Sequence, residues 1–430
     1  MSKIKEIMRN ISLSVKNFFL KNGRDESGLN ILMKSEGYKT FLSSIISIVI
    51  GLIIGFIIIM ITDFSHSGVA ITQLISGGFN AVKWTKGIGE VLLKTTPLLL
   101  SALSIIFAYK CGLFNIGAPG QYVIGLMFAL LGVFVFKLNW YWCMLLSVIG
   151  GALWGVIPGF FKAYLNVNEV ITSIMFNWIG LYLMNYVSGA ELNIMFNKDL
   201  AEVKEIPINS RIPILLEGLF NYKYVTYGIV IAIVVTILVT LVLNKTKFGY
   251  EIKATGLNKH AAKYSGMKYR KNILLTMAIS GGLAGLASSC YYLTGYEVYS
   301  PVKQTVLPTI AFSGIAVAFL GGINPIGAVF SSLFITHITV GGNYLDTTYY
   351  SKEVSDLITA IIIYLCAFSL FIKQIISKMQ NRNKKTKNNK YKNIDNKYKN
   401  IDSNYKNIDN IDKNHEIRSI NHEKGMNSYE

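Results

Sequence analysis

The chain has 430 residues, 52% of them hydrophobic and only 15% charged, with a formal net charge of +18. That balance excludes an ordinary soluble domain and fits a polytopic membrane protein. The charge is confined to residues 1–40 (+4), 244–272 (+7) and 373–430 (+7), which flank apolar runs; this is the positive-inside pattern, not a nucleic-acid groove.

In chain order, apolar runs predict ten helices over 41–62, 88–109, 121–136, 139–161, 170–187, 225–243, 273–294, 306–322, 326–341 and 355–372. Runs such as YVTYGIVIAIVVTILVTLVLN have no charge over about twenty residues, enough to cross a bilayer as a helix that satisfies its own backbone. The first run starts only at residue 41 and lacks a small-residue cleavage site, so it reads as a retained helix and not a signal peptide. The expected organisation is an all-α membrane domain over 41–373, preceded by a cytoplasmic segment, 1–40, and followed by a cytoplasmic tail, 374–430. An even helix count places all three basic segments on one side. The connection 188–224 then lies outside and offers a docking surface or simply a solvated loop, while 68–84 is amphipathic enough to lie at the interface. The tail repeats YKNID at Tyr391, Tyr398 and Tyr405; its Asn, Asp and Lys content favours disorder over a coiled coil.

No catalytic grammar is present: GxxxxGK[ST], HExxH and GxSxG are all missing from the sequence, so transport driven by ATP would need an ATPase on another chain. Cys111, Cys143, Cys290 and Cys366 stand singly, with no spacing for a disulfide framework or a metal site. Of the histidines, His337 sits in an apolar run and reads as packed or pore-lining.

Two spans are interrupted by Gly and Pro: 111–132, with Asn115, Pro119 and Gln121, and 307–330, with Pro308, Ser313, Asn324 and Pro325. They are the third and eighth helices, so a five-plus-five inverted repeat with broken helices around a midplane site is expected; close helix packing explains each single glycine equally well. In NVNEVITSIMFNWIG, Glu169, Ser173 and Asn177 recur at i+4, which suits either helix–helix hydrogen bonding or substrate contact.

The basic stretch FGYEIKATGLNKHAAKYSGMKYRKN, 248–272, carries six Lys/Arg. Asn258 is a ready N-cap, Lys259 to Ser265 spans two helical turns, and Gly266 suits the left-handed stop. Upstream, Glu251 to Thr255 forms a turn with Gly256 as the bend. Ala254, Leu257, Ala261 and Tyr264 make one apolar face. So short an element must dock on something: its own helices, lipid headgroups or a partner protein.

KATGLNKHAAKYSGM resembles the cytoplasmic coupling segment of permeases in bacterial ATP-binding-cassette importers of the simple-sugar, nucleoside and branched-chain amino acid group. GLFNIGAPGQ is similar to that group's GLFNIGAEGQ signature and NEVITSIMFNWI to its NEVI segment; AISGGLAGLA and GIAVAFLGGINPIG continue the match, which covers about 105–330. The forms look most like nucleoside permeases. The resemblance implies a cytoplasmic ATPase that consumes the ATP, a second permease, identical or related, and an extracytoplasmic binding protein, in the bacterial inner membrane. No cofactor is bound by the permease itself. It implies that Glu251, Lys253, Ala254, Gly256, Leu257, Ala261, Tyr264 and Gly266 seat in a groove on the ATPase. Pro119, Lys253 and Lys259 depart from the usual acidic residue, Arg and Pro; Lys lacks the bidentate fork of Arg.

The expected function is therefore alternating-access import of a nucleoside, with Asn115, Gln121, Asn177 and Ser313 as polar contacts and Phe114 or Trp178 as a stacking surface. The rivals are a sugar or branched-chain amino acid permease and an ion-coupled secondary transporter. The latter predicts carboxylates inside spans, and no central span clearly has one.

Overall fold

Apolar runs of this length fold as helices because lipid offers the backbone no hydrogen bonds, and the computed structural model is helical accordingly. It describes residues 36–80, 84–189, 194–215 and 222–378. Residues 1–35 of the N-terminal segment and the tail beyond 378, with its YKNID repeat, lie outside the described residues. The helices are α1 (Glu36–Thr62), α2 (Ser67–Ser76), α3 (Trp84–Lys110), α4 (Ala118–Phe134), α5 (Trp140–Leu165), α6 (Glu169–Ser188), α7 (Gly228–Lys245), α8 (Lys247–Leu257), α9 (Lys259–Tyr264), α10 (Tyr269–Tyr292), α11 (Thr309–Leu320), α12 (Pro325–Gly342) and α13 (Lys352–Ala367).

Among the described residues, 8 helices are long and apolar enough to span a membrane, and α4 and α11 add two shorter apolar ones. The protein is thus an all-α polytopic membrane protein, with ten apolar helices among the described residues. Most boundaries differ from the sequence expectation by a few residues, and two of the differences have a local cause. The helix expected from residue 121 starts at Ala118, because Pro119 occupies its first turn, where a missing N–H costs nothing. The helix expected over 306–322 is only the 12 residues of α11, with Pro308 as its N-cap.

The centre is α3, buried along nearly its whole length, with α4 and α10 packed against it through Leu99, Leu103, Phe107, Tyr122 and Leu126. On α5, Gly151 and Gly155 meet Gly281 and Met277 of α10 backbone to backbone; any Cβ there would stand inside van der Waals contact. Gly125 of α4 meets Gly285 in the same way. Small residues permit this approach, and Ser147 then reaches the Gly285 carbonyl across it at 2.6 Å. By contrast, α1, α6 and α7 keep rows of large apolar side chains exposed, among them Phe41, Trp178 and Ile237, as lipid-facing helices do.

Within 188–224, the described part holds a two-stranded antiparallel ribbon, β1 (Phe196–Asn197) and β2 (Glu202–Val203), with Phe196 opposite Val203. It is pinned to the segment before α11: the Val203 N–H donates to the Tyr299 carbonyl at 2.9 Å, and Lys303 pairs with Glu202 at 2.8 Å. In 68–84, α2 carries buried Ala70 and Leu74 against exposed Val69 and Ile75.

Candidate functional site

Between α7 and α10 the basic stretch folds into two short helices. Asn258 caps α9, its side chain accepting from the His260 and Ala261 N–H groups at 3.0 and 3.1 Å, and Gly266 closes it with φ +80°. The expected bend at Gly256 is corrected: Gly256 lies inside α8, and the break falls at Asn258. The helix survives Gly256 because the residue serves a different need, close approach to Cys111 and Gly112 at the end of α3. The break also divides the expected apolar face in two. Ile252, Thr255 and Ala262 point inward, while Ala261 is exposed and Leu257 and Tyr264 stand 89% and 96% exposed. Ala254 is half-buried. Glu251 and Thr255 are held from α10 by the Asn272 amide at 3.4 and 3.3 Å, and Lys253 donates to Asn244 at 2.8 Å. Beside them, burial pushes the Cys111 thiol up to about 11; it is a packing sulfur and not a nucleophile.

From Gly112, with φ +73°, the chain turns toward a buried polar cluster. Asn115 and Gln121 pair amide to amide: Asn115 Nδ2 donates to Gln121 Oε1 at 2.7 Å and Gln121 Nε2 returns to Asn115 Oδ1 at 3.1 Å. Asn115 also donates to Ser280 Oγ at 2.6 Å, and Ser280 in turn donates to the Ser104 carbonyl at 2.8 Å. The cluster thereby ties α3, α4 and α10. Asn177 of α6 clamps the start of α4, accepting from the Gly120 N–H and donating to the Ile116 carbonyl, both at 2.9 Å. Glu169, in the first turn of α6, pairs with Lys162 at 2.7 Å. All three amides are buried and satisfied, Asn115 and Gln121 by each other and Asn177 by main chain, as polar groups within a bundle must be.

Toward the opposite end of the bundle lies a cavity of about 880 Å³, a volume that suits a small organic solute. It is walled by Lys94 and Leu98 of α3, Tyr122 of α4, Tyr291 and Tyr292 of α10, and the facing sides of α11, α12 and α13. Ser313 and Phe312 of α11 line it, and Glu297, Asn343 and Asp356 add polar groups. At Gly314, α11 touches α3 directly: a Cβ there would lie 2.9 Å from the Ser101 carbonyl carbon. A smaller cavity of about 140 Å³, lined by Lys204, Arg211 and Lys223, shares Tyr292 and Glu297 with the large one.

Of the residues expected from the sequence to contact substrate, Ser313 lines this cavity, as does Pro308 of the interrupted span. Asn115, Gln121 and Asn177 form the cluster between the cavity and α8. Phe114 stacks on Phe319 at 6.2 Å, and Trp178 stacks on Tyr182 at 6.2 Å on the exposed face of α6. Glu90 and Lys94, not among the residues singled out above, pair inside α3. Their signal was present, two ionisable residues at i,i+4 within an apolar span, and the absence of a carboxylate from the central spans is corrected accordingly.

The family described as "Branched-chain amino acid transport system / permease component" matches residues 87–367. The chain belongs to this family. As a permease it is 34% identical to the guanosine ABC transporter permease protein NupP of Bacillus subtilis over 346 residues, covering 79% of this chain and 97% of that protein. It is 33% identical to the nucleoside ABC transporter permease protein NupB of Lactococcus lactis over 307 residues, 70% of this chain and 84% of that one. A glucose ABC transporter permease, TsgB13 of Haloferax volcanii, is 26% identical over 302 residues, 67% of this chain and 78% of the relative. No solved structure matches the permease. Helices α8 and α9, the amide cluster and the residues lining the cavity all fall inside the matched span.

Proposed function

We propose that this permease forms the pathway for nucleosides in an ATP-binding-cassette importer of the bacterial cytoplasmic membrane. The observation that carries the reading is the similarity to two nucleoside-type permeases over 79% and 70% of the chain. The cavity supports it with aromatic surface from Tyr291, Tyr292 and Phe312 beside hydrogen-bonding groups such as Ser313 and Asn343, the pairing that a base and a ribose require.

In this reading both ends of the membrane domain and α8–α9 are cytoplasmic, following the basic segments. The exposed Leu257 and Tyr264 enter the ATPase, where ATP is consumed. Ala254, Ala261, Lys253 and Gly266 shape that surface, and Glu251 and Gly256 fasten it to α10 and α3. The cavity then faces the extracytoplasmic side and receives substrate from a binding protein docked on the 194–215 surface, a second permease completing the assembly. Asn115, Gln121, Asn177 and Ser280 close the path toward the cytoplasm; Ser313 contacts substrate. ATP binding opens one closure at the expense of the other by favouring one of two states.

The test uses the full-length tagged chain, reconstituted with the subunits that co-purify with it. ATP-dependent uptake of labelled guanosine or adenosine is expected, and uptake of ribose or glucose that no nucleoside inhibits overturns the reading. The sugar outcome has one observation in its favour, the glucose permease among the relatives.

A further inference from the structure

Within α3, Lys94 Nζ and Glu90 Oε1 lie 2.8 Å apart, with side chains only 19% and 18% exposed. Lys94 is ten residues into a 27-residue span, which at the helical rise puts it about 15 Å from the Trp84 end. Pro97 follows within the same helix, so the Leu93 carbonyl has no α-helical partner and the helix is weakened beside the pair. An ion pair at such depth is expensive to bury, and membrane proteins retain one chiefly where it meets substrate or a conduction path. Lys94 lines the large cavity whereas Glu90 does not. The carboxylate thus stands behind the ammonium and holds it.

An ammonium carries three donors. Glu90 takes one, which leaves donors for an occupant of the cavity. Lys94 contributes the positive charge of the lining, and Glu297 and Asp356 contribute negative charges; such a wall does not attract a phosphorylated ligand. It disfavours an anion, and an occupant that meets Lys94 must offer it acceptors.

Resting on the nucleoside reading, we propose that Lys94 selects 6-oxopurine nucleosides, donating to the adjacent carbonyl oxygen and imidazole nitrogen of the base while Glu90 positions it. Those two acceptors lie side by side on guanine and hypoxanthine, and lysine recognises that edge. Adenine replaces the carbonyl with an amino donor, which meets an ammonium donor to donor. Uridine and cytidine lack the imidazole nitrogen. Tyr291, Tyr292 and Phe312 in the same lining supply apolar surface for the rings.

The experiment measures inhibition of labelled guanosine uptake by inosine, adenosine, uridine and 7-deazaguanosine in the reconstituted full transporter. Glu90→Gln/Lys94→Met is compared with the unmodified chain, the double change leaving no unpaired charge in the span. Expected for the unmodified chain is a preference of about tenfold or more for guanosine and inosine over adenosine, with 7-deazaguanosine weakened. In the double variant the preference collapses because guanosine and inosine fall to the level of adenosine, while membrane level and co-purification of the ATPase persist. An unmodified transporter that takes nucleosides without this preference, or a double variant that keeps it, overturns the inference alone. Uptake of a sugar with no nucleoside inhibition overturns the functional reading and the inference together. A double variant that fails to assemble is replaced by Lys94→Arg, whose guanidinium donates to the same two acceptors and is expected to keep both the 6-oxopurine preference and the 7-deazaguanosine penalty; an assembled Lys94→Arg transporter that loses the preference counts against the inference.

Discussion

Gly256 of α8 rests against the backbone of Gly112 at the end of α3: a Cβ on Gly256 would lie 2.7 Å from the Gly112 nitrogen and 2.6 Å from the Cys111 carbonyl carbon. Gly112 answers with φ +73°, a conformation that favours glycine. Three residues later comes Asn115 and its cluster. A displacement of α8 therefore reaches the amide pair through main chain alone. Gly256→Val should abolish ATP-dependent uptake while membrane insertion persists, and Gly112→Ala should impair it through backbone strain. Transport assays alongside membrane-fraction immunoblots check both; normal uptake in either separates α8 from the closure.

Leu257 touches little of the permease itself, so Leu257→Asp should leave thermal stability in detergent unchanged within about 0.5 kcal/mol. It should nevertheless prevent co-purification of the ATPase. Retention of the ATPase at full yield would move the docking surface elsewhere.

Asn115→Ala removes one half of a reciprocal amide pair and leaves Gln121 buried with its polar groups unmatched. The expected loss is about 1–3 kcal/mol, read as a lower melting temperature in detergent, with uptake reduced. Asn115→Ala/Gln121→Leu should recover part of the stability, because an apolar pair leaves nothing unsatisfied, yet transport should remain impaired if the cluster closes the pathway.

At the α5–α10 seam, Gly155→Leu has no room: its Cβ alone would overlap the Met277 carbonyl. Overpacking of backbone against backbone admits no rotamer escape, so the variant should fail to accumulate. Gly68→Leu, at a glycine with nothing near its Cβ position, should accumulate normally and serves as the comparison.

Much of this architecture was legible beforehand because lipid makes hydrophobic run length nearly sufficient to place a span, and because Asn258 and Gly266 carry local capping chemistry. Gly256 misled because glycine marks bends and close approaches alike, and only the partner backbone at Gly112 distinguishes them. The site was less legible for a related reason. Asn115, Gln121 and Asn177 stand out as polar residues in apolar surroundings, but sequence does not reveal that the first two satisfy each other and the third satisfies main chain. Lys94 and Glu90 carried the stronger signal and were masked by the apolar average of their span.

The glycine-on-glycine contact of α5 with α10 also bears on motion. Side chains can exchange rotamers when two helices slide, whereas bare backbones meshed at Gly151, Gly155 and Gly281 have nothing to exchange. These two helices behave as a fixed post. Any rocking during the transport cycle must be carried by the helices around this post, and α1, α6, α7 and α13, each buried over a third or less of its apolar length, form that outer layer.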